Sequence, residues 1–141
     1  MWRLYRKRRR RASSVTKHYL QHKENARELI LTRLHYYNQH YGLEWKRVAI
    51  RNQRSCWGSC TSLKNLNFSY KMLFLPDELV DYIIVHELCH LIELNHGRDF
   101  WALVEVQIPD YKDRIKKLKQ IEQGGMSASY LEKLKTTTLM K

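Results

Sequence analysis

Residues 76–97 read PDELVDYIIVHELCHLIELNHG, and their apolar side chains recur with the spacing of a buried helix. Pro76 suits the start of that helix because its missing N–H would have no partner there. The pattern predicts a helix from about Asp77 to Leu94, which Asn95-His96-Gly97 ends. The side chains predicted to be buried on it are Val80, Ile83, Ile84, Leu88 and Leu91.

Two histidines of this segment, His86 and His90, stand four residues apart, so their imidazoles project from one face of the helix. That spacing lets both bind one metal ion. Zinc also needs a third protein ligand and an open position for water, and Glu87 can reach that water as a general base. The alternative is an ordinary helix surface, but a helix this apolar would hold an unpaired carboxylate only at a high cost without a cation.

The third ligand has two candidates in the sequence, His96 and Glu93. A continuous helix would return Glu93 to the face of His86, which lies seven residues before it. His96, six residues after His90, would lie about 120° away from His90 unless the helix breaks first. The asparagine and glycine that flank His96 are typical of such a break. We therefore prefer His96, and predict one zinc ion per chain with Glu87 as the catalytic base.

The rest of the chain alternates between helical and extended patterns. The predicted elements are a helix over 16–41 ended by Gly42, a strand over 45–52, a hairpin of the runs 57–61 and 66–75, a short helix over 98–107, and a helix that Pro109-Asp110 opens and Gly124-Gly125 ends. The apolar face of the first helix consists of Ala26, Ile30, Leu34, Tyr37 and Tyr41.

Positive charge is concentrated at the N-terminus. The chain has 26 Lys and Arg against 14 Asp and Glu, and its whole excess lies in residues 1–54. A basic arm comprises Arg3, Arg6, Lys7, Arg8, Arg9, Arg10 and Arg11. Mutual repulsion should keep this arm extended or disordered, and it is either a solvated tail or a non-specific contact for nucleic-acid phosphates. We expect three regions: the arm at 1–15, a catalytic domain at 16–124 and a weakly ordered tail at 125–141.

Length and composition narrow the class of protein. A chain of 141 residues allows one domain, and no window of eighteen apolar residues could span a membrane. Three cysteines are too few for a disulfide-stapled fold and suit a reducing compartment, so we expect a cytoplasmic protein. Cys89 is expected to be a small buried side chain, and Cys56 with Cys60 is only weak evidence for a metal site. Four further histidines are predicted to be solvated on the first helix: His18, His22, His35 and His40.

In combination, several motifs between about Tyr19 and Lys119 resemble the YgjP-like zinc-dependent hydrolases, a metallopeptidase group related to the SprT-like proteins. These motifs are RSCWGSC at 54–60, Leu75-Pro76, YIIVHELCH at 82–90, Asn95-His96, Phe100-Trp101 and Pro109-Asp110-Tyr111. The resemblance implies metal ligation by His86, His90 and His96, with Glu87 catalytic. It also implies a compact fold, and we expect an α+β single domain. In that domain a small antiparallel sheet packs against the active-site helix, with further helices on either side. The edge of this sheet can align an extended peptide.

The leading functional hypothesis is a zinc metallopeptidase that cleaves polypeptide through metal-bound water activated by Glu87. One alternative is a metal-dependent hydrolase of nucleotide phosphoanhydrides, although the chain has no Gly-rich phosphate loop. Another is a nucleic-acid-associated protease of the SprT-like kind, which the basic arm would support. Side chains able to stabilise a developing oxyanion are Tyr70, Tyr111, Arg98 and Arg54.

Overall fold

The computed structural model describes residues 15–53, 55–125 and 127–139, so the predicted basic arm lies outside the described residues. The described elements are α1 (Lys17–Tyr41), β1 (Arg47–Arg51), β2 (Gly58–Cys60), β3 (Asn65–Ser69), a 3₁₀ helix (Tyr70–Phe74), α2 (Asp77–His90), α3 (Arg98–Gln107), α4 (Tyr111–Gln123) and α5 (Ala128–Leu139). The expected α+β class is confirmed, with one small sheet among helices.

Helix α1 begins at Lys17, one residue after the predicted start, and ends at Tyr41 as predicted. The Thr16 hydroxyl accepts a hydrogen bond from the Tyr19 amide at 3.1 Å, which satisfies one of the free amides of the first turn. At the other end, Gly42 adopts a left-handed conformation with φ of 61°. Three side chains of the predicted apolar face are fully buried: Ala26, Ile30 and Leu34. The capping residues thus determine the ends of α1, and the apolar spacing determines which face it buries.

The sheet is mixed rather than wholly antiparallel. Its strand order is β1-β3-β2; β2 and β3 form the predicted antiparallel hairpin, whereas β1 pairs with β3 in parallel. Leu66 and Phe68 of β3 are fully buried, so β3 is the strand that suits the central position, where a partner strand on each side satisfies its backbone hydrogen bonds. β1 is therefore placed beside β3 instead of beside β2, its nearer neighbour in sequence.

The second run of the hairpin is shorter than predicted. The strand ends at Ser69, and the 3₁₀ helix follows where an extended run to Leu75 was expected. Arg51, the last residue of β1, pairs with Ser69, and β2 pairs no further than Phe68, so the backbone beyond has no strand to join. The Ser69 hydroxyl accepts a hydrogen bond from the Lys71 amide at 3.2 Å, which favours a turn there.

Helix α2 lies at the centre of the molecule and packs against α1, α3, α4 and β2. Its fully buried side chains are Leu79, Val80, Ile84, Val85, Leu88 and Cys89. A helix with this many apolar side chains must be covered over most of its surface, and here three helices and β2 cover it. None of the described helices is both long enough and apolar enough to cross a membrane.

The C-terminal segment contains a helix, α5, where we expected a weakly ordered tail. Leu131 is fully buried, and α5 packs against the 3₁₀ helix. Lys135 donates a hydrogen bond from Nζ to the Leu73 carbonyl at 2.7 Å. Helix α5 docks through few apolar side chains. Its polar, threonine-rich sequence therefore shows only a weak helical pattern.

Replacing Leu131 by alanine should lower the free energy of unfolding by about 2–5 kcal/mol, because it leaves a cavity under α5. Leu63→Ala is the matched control, since Leu63 is 67% exposed and its truncation should cost little. Urea denaturation of the two variants measures the difference. Equal stability of the two would contradict the docking of α5.

Candidate metal centre

Three imidazole nitrogens converge beside the C-terminal end of α2. The Nε2 atom of His90 lies 3.1 Å from that of His86 and 2.9 Å from that of His96, and the remaining pair is 3.1 Å apart. The three predicted histidine ligands therefore form a nearly equilateral triangle of nitrogen atoms. Glu93, the rival third ligand, does not belong to this cluster of possible metal-binding groups.

The break in the chain after α2 brings His96 into the triangle. The helix ends at His90, four residues before the predicted end at Leu94. His90 donates a hydrogen bond from Nδ1 to the Glu93 carbonyl at 2.9 Å. The amides of Ile92 and Glu93 both donate to the Cys89 carbonyl, at 3.1 and 2.9 Å, and so tighten the turn. Glu93 thus contributes its backbone carbonyl to the site, and the turn carries the chain back toward α2.

In His86 and His90 the other ring nitrogen, Nδ1, already has a hydrogen-bond partner. A carbonyl oxygen can only accept, so His90 carries its proton on Nδ1 and presents a lone pair at Nε2 when neutral. The Tyr82 hydroxyl lies 3.1 Å from Nδ1 of His86, one helical turn earlier. Such outer partners orient metal-binding histidines and raise the basicity of the free nitrogen. Tyr82 was not among the predicted site residues, although its position four residues before His86 is a usable signal.

Aromatic rings hold the three imidazoles in place. Phe100 is fully buried; it stacks on His90 at 4.4 Å between ring centroids and contacts the other two histidines edge-on, at 4.9 and 5.0 Å. Trp101 stacks on His96 at 5.8 Å, and Tyr111 stacks on Trp101 at 5.0 Å. Helix α3 therefore supplies the packing that limits the rotation of all three rings. Sequence spacing could not assign this role, because Phe100 reaches the site from another helix.

Electrostatics keeps the imidazoles neutral. Burial lowers the pKa of His86 well below its ordinary value, and it lowers the pKa of His90 as well. Burial, with His90 beside it, lowers the pKa of His96 to about 4. Neutral imidazoles with mutually facing lone pairs repel one another unless a cation lies between them. The donor set fits zinc, because Zn–N bonds of about 2.0–2.1 Å in a tetrahedron place the nitrogens about 3.3 Å apart.

Glu87 lies beside these histidines on α2 and is only 6% exposed. Burial raises the pKa of its carboxyl to about 8, and its Oε2 atom has no hydrogen-bond partner among the described residues. Strand β2 runs close against it: a Cβ atom added at Gly58 would lie 3.1 Å from Cγ of Glu87. A buried carboxylate with a free oxygen next to a cluster of metal-binding imidazoles fits a site that binds a cation and moves a proton.

The other predicted site residues occupy different places. Among the possible oxyanion stabilisers, Tyr111 lies one ring away from His96, whereas Arg98 is exposed at the start of α3. Tyr70 bonds to His18 of α1, and Arg54 lies outside the described residues.

The cysteines are all free, and none of them joins a cluster of possible metal ligands among the described residues. Cys89 is fully buried, in agreement with its expected role as a small apolar side chain. Burial, with Glu87 nearby, raises the pKa of Cys60 to about 12 and raises that of Cys56 as well. Burial therefore disfavours the thiolate, the form that binds a metal, at both positions.

Known proteins resemble this chain in fold and in family. The crystal structure of the metallopeptidase zymogen of Pyrococcus abyssi abylysin has a similar fold, with a TM-score of 0.60 and 23% sequence identity over 67% of this chain and 95% of that chain. No curated protein matches this chain. The family model of the YgjP-like metallopeptidase domain matches residues 2–121, starting within the basic arm. Because that match spans most of the sequence, the chain belongs to the YgjP-like metallopeptidase family.

Proposed function

We propose that this protein is a zinc-dependent peptidase in which His86, His90 and His96 hold one zinc ion and Glu87 is the general base. The observation that carries the proposal is the convergence of three imidazole Nε2 atoms, at 2.9–3.1 Å from one another, beside a buried carboxylate. A family that consists of metallopeptidases requires a metal. This cluster offers two ligands on the helix that carries Glu87 and a third on the turn that follows it.

Zinc bound by three imidazoles lowers the pKa of a water molecule toward about 7 and polarises a carbonyl group. Glu87 would accept the proton of the attacking water at its unpaired Oε2 atom and donate it to the leaving amine. Burial raises its pKa to about 8, so Glu87 binds a proton more tightly than an ordinary glutamate and can hold this proton between the two steps. Tyr82 and the Glu93 carbonyl would keep two of the imidazoles oriented through their Nδ1 atoms.

The position of β2 supports an extended polypeptide as the substrate. Among the described strands β2 is at the edge of the sheet, where it pairs with β3 on one side, and it passes Glu87 at Gly58. A polypeptide in extended conformation could add to its outer edge through main-chain hydrogen bonds, which need no particular side-chain sequence. We therefore propose that unfolded or exposed segments of proteins are cleaved.

Substrate class can be tested with the purified, zinc-loaded protein. An unfolded polypeptide, a short extended peptide and a nucleoside triphosphate would be compared, with each reaction repeated in the presence of a zinc chelator. We expect chelator-sensitive cleavage of the polypeptide and the peptide. Hydrolysis of the nucleotide alone would favour a phosphoanhydride hydrolase instead.

Glu87→Gln should keep zinc and the fold but lower kcat by at least about 10²–10⁴-fold, because an amide cannot accept the proton of water. Peptide cleavage by metal-replete protein measures the effect. Glu93→Gln is the matched control: its carboxylate lies outside the histidine cluster and its backbone carbonyl is unchanged, so its activity should stay near wild type. Equal activity of both variants would remove Glu87 from the mechanism.

His96→Ala should weaken zinc binding strongly, since it removes one of three ligands and leaves only the pair on α2. Competition with a chelator, followed by elemental analysis, measures the remaining metal. Glu93→Ala should retain its zinc under the same conditions. The reverse pattern, with metal lost from Glu93→Ala and kept by His96→Ala, would show that the third ligand is misassigned.

Tyr82→Phe should weaken zinc binding or activity by about 10–100-fold, because it removes the hydroxyl beside Nδ1 of His86 while the ring remains. Tyr36→Phe, at a position that is 63% exposed, provides the comparison and should have no effect. The same chelator competition serves as the assay. If Tyr82→Phe binds zinc like wild type, the hydroxyl does not orient His86.

A further inference from the structure

A second group of possible metal ligands lies where α1 meets α5. It consists of His18, His22 and Glu132, each of which offers a ligand atom within 4.8 Å of the others. His18 Nε2 is 2.8 Å from Oε1 of Glu132, and His22 Nε2 is 3.9 Å from the same oxygen. None of these residues belongs to the histidine cluster at the end of α2, so the two groups are chemically independent.

The two histidines are presented in the same way as His86 and His90. They stand four residues apart on α1, so their rings lie one helical turn apart on the same face, with centroids separated by 4.4 Å. We predicted both to be solvated surface side chains, but α5 covers them in part: the side chains of His18 and His22 are 34% and 24% exposed. The carboxylate comes from a residue 114 positions away from His18, so only the docking of α5 brings the group together.

Neighbouring side chains hold the rings in position. Phe74 of the 3₁₀ helix contacts both imidazoles, at 5.5 and 5.2 Å between ring centroids. The Tyr70 hydroxyl lies 2.9 Å from Nδ1 of His18. A tyrosine hydroxyl can accept as well as donate, so His18 can carry its proton on Nδ1 and leave the lone pair of Nε2 for a cation. This arrangement repeats the oriented second nitrogen found at His86 and His90.

We infer that His18, His22 and Glu132 form a second metal site, which binds zinc or a similar divalent transition metal and ties α5 to α1. Two imidazoles and a carboxylate are a donor set that zinc, nickel and cobalt accept. Glu132 is 42% exposed, so water can complete the coordination sphere. The alternative for this cluster is an ion pair between His18 and Glu132 alone, in which His22 has no part.

A metal at this place would act on stability. It would cross-link two helices from opposite ends of the described chain, and a cation that binds the folded state alone stabilises it by mass action. The 3₁₀ helix lies between α1 and α5 and would be held from both sides. The centre proposed for catalysis uses other residues, so loss of this second ion should leave peptide cleavage unchanged.

The test counts zinc ions per chain in the full-length protein by titration against a competing chelator. We expect two ions for wild type and one for His22→Gln and for Glu132→Gln, with the affinity of the second ion reduced by more than about 100-fold. His22→Gln is the decisive variant, because it keeps the 2.8 Å contact between His18 and Glu132. His40→Gln, an exposed histidine on the same helix, is the control and should still bind two.

Thermal unfolding gives a second readout. A second equivalent of zinc should raise the Tm of wild type and His40→Gln but not that of His22→Gln. The single variant His96→Ala separates the two sites. It should keep the ion at the α1–α5 junction but lose peptide cleavage. One ion in wild type, unaffected by His22→Gln and lost with His96→Ala, would overturn the inference and leave the cluster as an ion pair.

Discussion

The end of α2 at His90 is the constraint on which the proposed catalytic site depends. On a continuous helix, the Glu93 carbonyl would accept a hydrogen bond from the amide four residues later, and His96 would point about 120° away from His90. In the structure that carbonyl accepts from Nδ1 of His90 at 2.9 Å instead. The same bond leaves the lone pair of Nε2 facing the site. A single contact therefore directs both the path of the chain and the donor atom of a proposed ligand.

The burial of α2 explains why these groups can act together. Its apolar residues pack against three helices and a strand, so the backbone that carries His86, Glu87 and His90 has little freedom to move. The same burial lowers the pKa values of the imidazoles and raises that of Glu87. A cation between the imidazoles would offset the cost of holding a carboxylate in such surroundings. Rigidity and electrostatics thus have one cause, the apolar packing around the helix.

Histidine pairs with identical spacing occur on α1 and α2, but their surroundings differ. On α2 the pair is enclosed by α3 and by the turn that carries His96, whereas on α1 the pair is half exposed and meets a carboxylate from α5. The residues around His18 and His22 are polar, so their sequence predicts solvated side chains and not metal ligands. That polarity describes the solvent side of α1 correctly, but it contains no information about a helix that docks there from the other end of the chain.

The sequence alone determined the elements that depend on neighbouring residues. Gly42 marks the end of α1, and helical spacing brings His86, Glu87 and His90 together, with His96 preferred over Glu93 because a helix break is expected beside it. Tertiary structure decided the parallel pairing of β1 with β3, the 3₁₀ helix after Ser69 and the docking of α5. It also decided which aromatic rings hold the histidines. Local spacing reports only the geometry of one helix or strand, whereas these features depend on contacts between residues far apart in the chain, up to the 114 positions that separate His18 from Glu132.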